Sequence, residues 1–225
     1  NINRNTGEQC PRSLEYHYTA IECYPFKKLM PDNIATQYDV ARNLWVYGWF
    51  EYRFLNVAEA QVLMVLELAI RERIGEAVIK RYIRDRQKAH KEKTGSKGRI
   101  SNGLKTLIEY CRDYQLIRNE GFGAWHLHAT QQAYYSAQQS QFEWARSEME
   151  RTGVTTIELP DIEIQQLEPD PEYDHIQHLI DHTNKIRNTY AHGSTALYDP
   201  RTRSFELVSD FINQLYTTDD LIGKL

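Results

Sequence analysis

The run 185–193 places Arg187, Asn188 and His192 within six residues. It joins a permanently charged guanidinium and an amide to an imidazole that ordinarily titrates near neutral pH. Arginine forms bidentate contacts with phosphate or carboxylate groups, and imidazole gives or takes a proton at physiological pH. Such a set is equipped for proton transfer beside an anionic centre. The plainer reading is a helix C-terminus, where cations complement the dipole and hydrogen-bond the last carbonyls.

A helix over 174–190 is expected to position these residues. It follows Pro169 and Pro171, and Ile176, Leu179, Ile180, Thr183, Ile186 and Tyr190 recur at steps of three and four, the spacing of one buried stripe. Gly193 suits the C′ position, where a left-handed backbone costs glycine little. Asn188 and His192 share a face, but Arg187 and His192 stand about 140° apart around an ideal axis. One regular helix therefore does not aim both at one atom. Either the last turn departs from α geometry, or a second copy of the helix across a symmetric interface supplies the convergence.

His175, His178 and His182 share a face of this helix with Lys185. His-x3-His can hold zinc, and Asp174 or Asp181 could add an oxygen, but Lys185 opposes a cation and no partner cluster is visible beyond His126 and His128. No metal or other cofactor is expected. The face is read as a solvated polar surface, with a surface for a polyanion or a partner as the alternative. Gly-x-Ser-x-Gly and a glycine-rich phosphate loop are both absent, which argues against hydrolases of that class and nucleotide kinases.

Composition favours helices, with only 11 glycines and 7 prolines among 225 residues, against 15 tyrosines and 4 tryptophans. No apolar run approaches the ~18 residues of a membrane span, and no signal-peptide order appears, so a cytoplasmic protein is expected. Cys10, Cys23 and Cys111 lack metal or redox spacing. The net charge of −4 hides a division. The stretch 80–99 is basic, with Lys80, Arg81, Arg84, Arg86 and Lys88 at its start, whereas 143–174 carries ten carboxylates against Arg146 and Arg151. The basic stretch is either a solvated helix face or a local attractor for a polyanion.

Residues 1–31 read as an irregular arm that packs through Tyr16, Tyr18, Tyr24 and Phe26. Residues 32–225 read as one helical domain. From about Ile34 two aromatic stripes, Tyr38, Trp45, Trp49 and Tyr52 beside Tyr47, Phe50 and Phe54, predict a helix buried on more than one side. Asn56 with Glu59 predicts a capped start to the central core helix, and Gly75 its end. Glu67 within that helix needs a partner. Arg71, four residues on, is the local candidate, and Arg187 from across the core is the alternative. A basic helix to about Ala89, a polar linker over 91–97 that is mobile at Thr94, Gly95 and Ser96, and a helix capped by Ser101 follow. Gly121 to Gly123 should break the chain before a long glutamine-rich helix from about Thr130, which projects from the bundle or packs on another subunit. Residues 154–167 alternate weakly, as a short strand or an extended crossover. A last amphipathic helix is expected over 205–216.

The motif Arg-Asn-x-x-x-His-Gly at 187–193, late in an all-helical chain, resembles the signature of the HEPN superfamily. The stretch 46–50, followed by Ala58–Glu59 and 66–71, is similar to the first helices of bacterial proteins with this ending. The resemblance covers about 39–216. It implies an all-α, up-and-down helical bundle that pairs into a homodimer, with an insertion around 121–172. It further implies a metal-independent endoribonuclease that leaves a cyclic phosphate, in a bacterial defence or toxin system. Carried over by position, His192 would act on the ribose 2′-hydroxyl or assist the leaving group, Arg187 would stabilise the phosphorane-like transition state, and Asn188 would orient His192 or a phosphate oxygen. Glu67 and Tyr190 would support them, and Lys80, Arg81, Arg84, Arg86 and Lys88 would guide RNA. The resemblance leaves room for an antitoxin or regulatory protein as a partner. It also leaves a second reading, a non-catalytic RNA-binding or dimerisation module.

Overall fold

The computed structural model describes residues 13–26, 30–96, 98, 100–163, 172–182 and 202–216. The described residues form an all-α bundle without a strand. Its first element lies inside the expected arm. Helix α1 (Leu14–Glu22) is started by Ser13, whose hydroxyl accepts the Tyr16 N–H at 3.1 Å. Tyr16 and Tyr18 point outward. Ile21 is buried, Tyr24 and Phe26 pack against the core as expected, and the His17 ring stacks on Trp45 at 5.4 Å.

Helix α2 (Asp32–Tyr47) and helix α3 (Arg53–Ile74) form an antiparallel hairpin. Gly48 closes α2 where the chain turns. A Cβ there would meet the Leu55 side chain at 2.3 Å, so the close approach of the two helices requires glycine. Tyr38 and Trp45 are buried, but the second aromatic stripe is not, with Tyr47 60% and Phe50 71% exposed. Two-sided burial of α2 is thus corrected. Both residues face outward at the hairpin end.

Helix α3 is central, as expected, and packs against α2, helix α4 (Glu76–Thr94), helix α5 (Leu104–Asp113) and helix α8 (Arg203–Leu215). It begins one turn before Asn56, so Asn56 is not its cap, and Glu59 is buried within it. Gly75 ends it as expected. Helix α4 then runs to Thr94, through most of the expected linker, and stops at left-handed Gly95. Ser101 does not cap α5; its carbonyl accepts the Thr106 hydroxyl at 2.8 Å, and Gly103 stands at the cap. Leu104, Leu107, Ile108 and Cys111 face inward as their spacing requires.

A 3-10 turn (Asn119–Gly121) leads into helix α6 (Gly123–Thr152). Its 30 residues span about 45 Å at 1.5 Å per residue. Phe122, Trp125 and Ala129 belong to the core; beyond them only Ala145 in α6 is buried. The chain then folds back beside it, and Gln141 Nε2 donates to the Pro160 carbonyl at 2.9 Å. Among the described residues 153–163 form no strand. Helix α7 is described over 175–182, and α8 seals the bundle with Phe205, Val208, Phe211, Ile212 and Leu215.

Candidate functional site

Arg187, Asn188, Tyr190, His192 and Gly193 lie outside the described residues, as does Lys185. The described part of α7 is the approach to them. Asp174 starts the helix by accepting the Gln177 N–H at 2.9 Å, and Asn119 Oδ1 accepts the Ile176 N–H at 2.9 Å. Two of the four N–H groups that a helix start leaves open are thereby satisfied. Ile176, Leu179 and Ile180 are buried, the stripe that the spacing predicts. Arg112 Nη1 donates to Gln177 Oε1 at 2.7 Å and ties α5 to the same helix.

The histidine face divides. His178 and His182 are exposed, with stacked rings 4.1 Å apart, and His182 Nδ1–H donates to the His178 carbonyl at 2.9 Å. His175 is only 5% exposed, which corrects the solvated reading for that residue. Spacing placed it on the polar face, but its ring sits beside Phe122 at 5.2 Å and Tyr173 at 6.1 Å, where the 3-10 turn meets α7. Neither ring nitrogen has a hydrogen-bond partner. Burial pushes the His175 pKa down to about 4, with His178 and His128 adding repulsion and Asp174 opposing them. It is therefore a neutral imidazole at physiological pH, with one donor and one acceptor unused.

His175 borders a cleft of about 260 Å³ between α6, α7 and α8 with both ring nitrogens buried from it, and the cleft is lined also by Phe122, His128, Tyr173, Arg203, Glu206 and Asp210. Gly123 brings α6 and α8 together. Its N–H donates to Asp210 Oδ2 at 2.8 Å, and a Cβ there would stand 3.0 Å from Glu206 Oε1. Both carboxylates thus sit at the positive end of α6. Burial raises the Glu206 pKa, as does Asp210, while Arg203 lowers it. Among the described residues no group of three histidine, cysteine or carboxylate side chains is placed to hold a metal ion. Sequence reasoning missed Glu206 and Asp210. Their four-residue spacing shows a shared helix face, but not what that face meets.

Glu67 takes the local partner. Arg71 Nη2 lies 2.9 Å from Glu67 Oε1, and the same guanidinium reaches Glu76 Oε1 at 2.9 Å and the Asn102 carbonyl at 2.8 Å. The alternative partner, Arg187, is not among the described residues. On α4, Lys80, Arg81, Arg84 and Lys88 are exposed and fall within an arc of roughly 100°, opposite buried Ile79 and Tyr82. Arg86 is not part of that face. Its guanidinium pairs with Glu109 and donates to Tyr82 Oη at 3.3 Å, so it is committed within the fold. No helix among the described residues is long and apolar enough to cross a membrane. Comparison of the chain with protein-family models, with curated proteins and with solved structures returns no match.

Proposed function

We propose that the protein is a HEPN-like, metal-independent endoribonuclease that acts as a homodimer, in a defence or toxin role, and cleaves RNA by attack of the ribose 2′-hydroxyl to leave a cyclic phosphate. His192 moves the proton, Arg187 stabilises charge on the phosphorane-like transition state, and Asn188 orients His192 or a phosphate oxygen. The observation that most supports this reading is the anchoring of α7. It buries Ile176, Leu179 and Ile180 and is capped by Asp174, so the sequence running into the motif starts from a rigid core helix, as a preorganised catalytic pair requires. The exposed cations of α4 provide a face for the phosphate backbone on an otherwise acidic protein.

The test is cleavage of single-stranded and structured RNA in EDTA by the purified protein and by Arg187→Ala and His192→Ala variants whose unfolding curves match the parent. Each variant should lose about 10²-fold or more of the rate. Cleavage that survives both changes, or that requires a metal ion, sinks the proposal. RNA that is bound but left intact would mark the chain as a binding module. Light scattering on the same samples should give the mass of a dimer, and a monomer would remove the convergence of Arg187 with His192.

A further inference from the structure

We propose that a second copy of the chain docks on the outer face of α6, helix against antiparallel helix, across a twofold axis that passes between Tyr134 and Tyr135. This rests on the homodimer of the proposed function and adds its surface and register; neither RNA nor residues 187–192 enter it. Helix α6 buries Trp125 and Ala129 on one side. On the other side Leu127, Gln131, Tyr134, Tyr135, Gln138 and Phe142 fall within an arc of roughly 100°. Leu127 is 64% exposed, and Tyr135 and Phe142 are each 55% exposed. A groove of about 430 Å³ lies on this face, bordered by Leu127, Thr130, Gln131, Tyr134 and Tyr135, all from α6 itself. A long helix takes most of its stability from packing an apolar face, and an apolar stripe left in water marks an interaction surface.

The order of residue types selects a second copy as the occupant. Outward from the bond between Tyr134 and Tyr135, a tyrosine, a glutamine and a large apolar residue recur at the same steps in both directions: Tyr134, Gln131 and Leu127 one way, Tyr135, Gln138 and Phe142 the other. A twofold interface is self-complementary, so residue i meets residue j and j meets i. Antiparallel pairing about that midpoint sets Leu127 against the partner's Phe142, Gln131 against the partner's Gln138, and Tyr135 against the partner's Tyr135. Each glutamine amide both donates and accepts, so facing glutamines satisfy one another where the seam excludes water, and a polar pair in an apolar seam fixes its register. Covering the exposed parts of these side chains and their flanks removes about 500 Å² per copy, roughly 1,000 Å² in all, the lower bound of a specific interface. Leu127 also lines the cleft between α6, α7 and α8, so the partner's Phe142 adds to a wall of that cleft.

The experiment is sedimentation velocity of the purified protein over a range of concentrations, without RNA. The parent should sediment as a dimer that dissociates on dilution. Tyr135→Glu, which sets two like charges at the axis, and the double change Gln131→Lys with Gln138→Lys should each weaken pairing at least about tenfold while unfolding curves match the parent. Gln131→Lys with Gln138→Glu should restore pairing, because each lysine then faces a glutamate of the other copy. A monomeric parent overturns the proposal. So does a dimer that tolerates both Tyr135→Glu and the double-lysine change, or a double-lysine variant that behaves like the lysine–glutamate one. A dimer indifferent to these changes leaves the nuclease reading standing, and absence of RNA cleavage with the pairing pattern intact leaves the α6 interface standing, so the two failures are separate results.

Discussion

His175 couples the cleft to stability. Its pKa is about 4 in the folded chain against an ordinary 6.5, because burial and the neighbouring His178 and His128 disfavour the charged ring. Between those two values the unfolded chain binds a proton that the folded chain does not. Stability from this residue is therefore complete above about pH 6.5 and is lost as pH falls towards 4, to a limit of up to ~3 kcal/mol. Denaturant unfolding of the parent and of His175→Leu at pH 7.5 and pH 4.5 should show the parent losing about 2–3 kcal/mol more than the variant. Parallel losses would mean that the ring is hydrated or partnered in solution. Glu206 also belongs to this scale, since the residue was plain in the sequence while its environment was set by Gly123, 83 positions earlier.

At the scale of the element, helix ends reveal which local signals govern the chain. Asn56 and Ser101 are good caps by type, yet α3 starts ahead of one and α5 starts after the other. Burial of Leu55 and Leu104 is worth about 1.5–3 kcal/mol each, more than the ~1 kcal/mol of a typical cap, so apolar positions decide where these helices begin. Glycine signals are firmer because they reflect backbone sterics. Gly75 joins α3 to α4 at φ 86° and ψ 138°, with no atom within 4 Å of a Cβ placed there. Gly75→Ala should therefore cost ~1–3 kcal/mol from backbone strain alone. Gly95, at φ 70° and ψ −5°, occupies the milder left-handed helical region, and Gly95→Ala should cost less, roughly 1–2 kcal/mol. Denaturant titration of both variants checks the order, and equal losses would mean that the joint between α3 and α4 relaxes.

Across the whole molecule, charge is segregated. The chain carries a net −4, but the exposed face of α4 gathers Lys80, Arg81, Arg84 and Lys88 while Arg86 is turned inward to Glu109. If that face holds RNA, the triple change Lys80→Glu, Arg84→Glu and Lys88→Glu should weaken binding and lower the slope of log K against log salt by about 2, at ~0.7 per phosphate contact on a single strand. Arg86→Gln should leave the slope unchanged and reduce stability instead. Filter binding at several salt concentrations separates these outcomes, and an unchanged slope in the triple variant would move the RNA to another face.

The helical class, the central position of α3, the inward stripe of α7 and the amphipathic α8 were all legible in the sequence, because apolar periodicity records which side of a helix must leave water. The same local logic made Arg71 the partner of Glu67, since residues four apart on a helix are neighbours wherever the helix lies. Tertiary structure decided what periodicity cannot carry. Trp45 is covered because His17 arrives from α1 while Tyr47 and Phe50 stay exposed, Arg86 is structural because Glu109 comes from α5, and His175 is buried because the turn before α6 closes over it. Each outcome depends on a residue distant in the chain, and a repeat of three or four residues contains no information about which distant surface arrives.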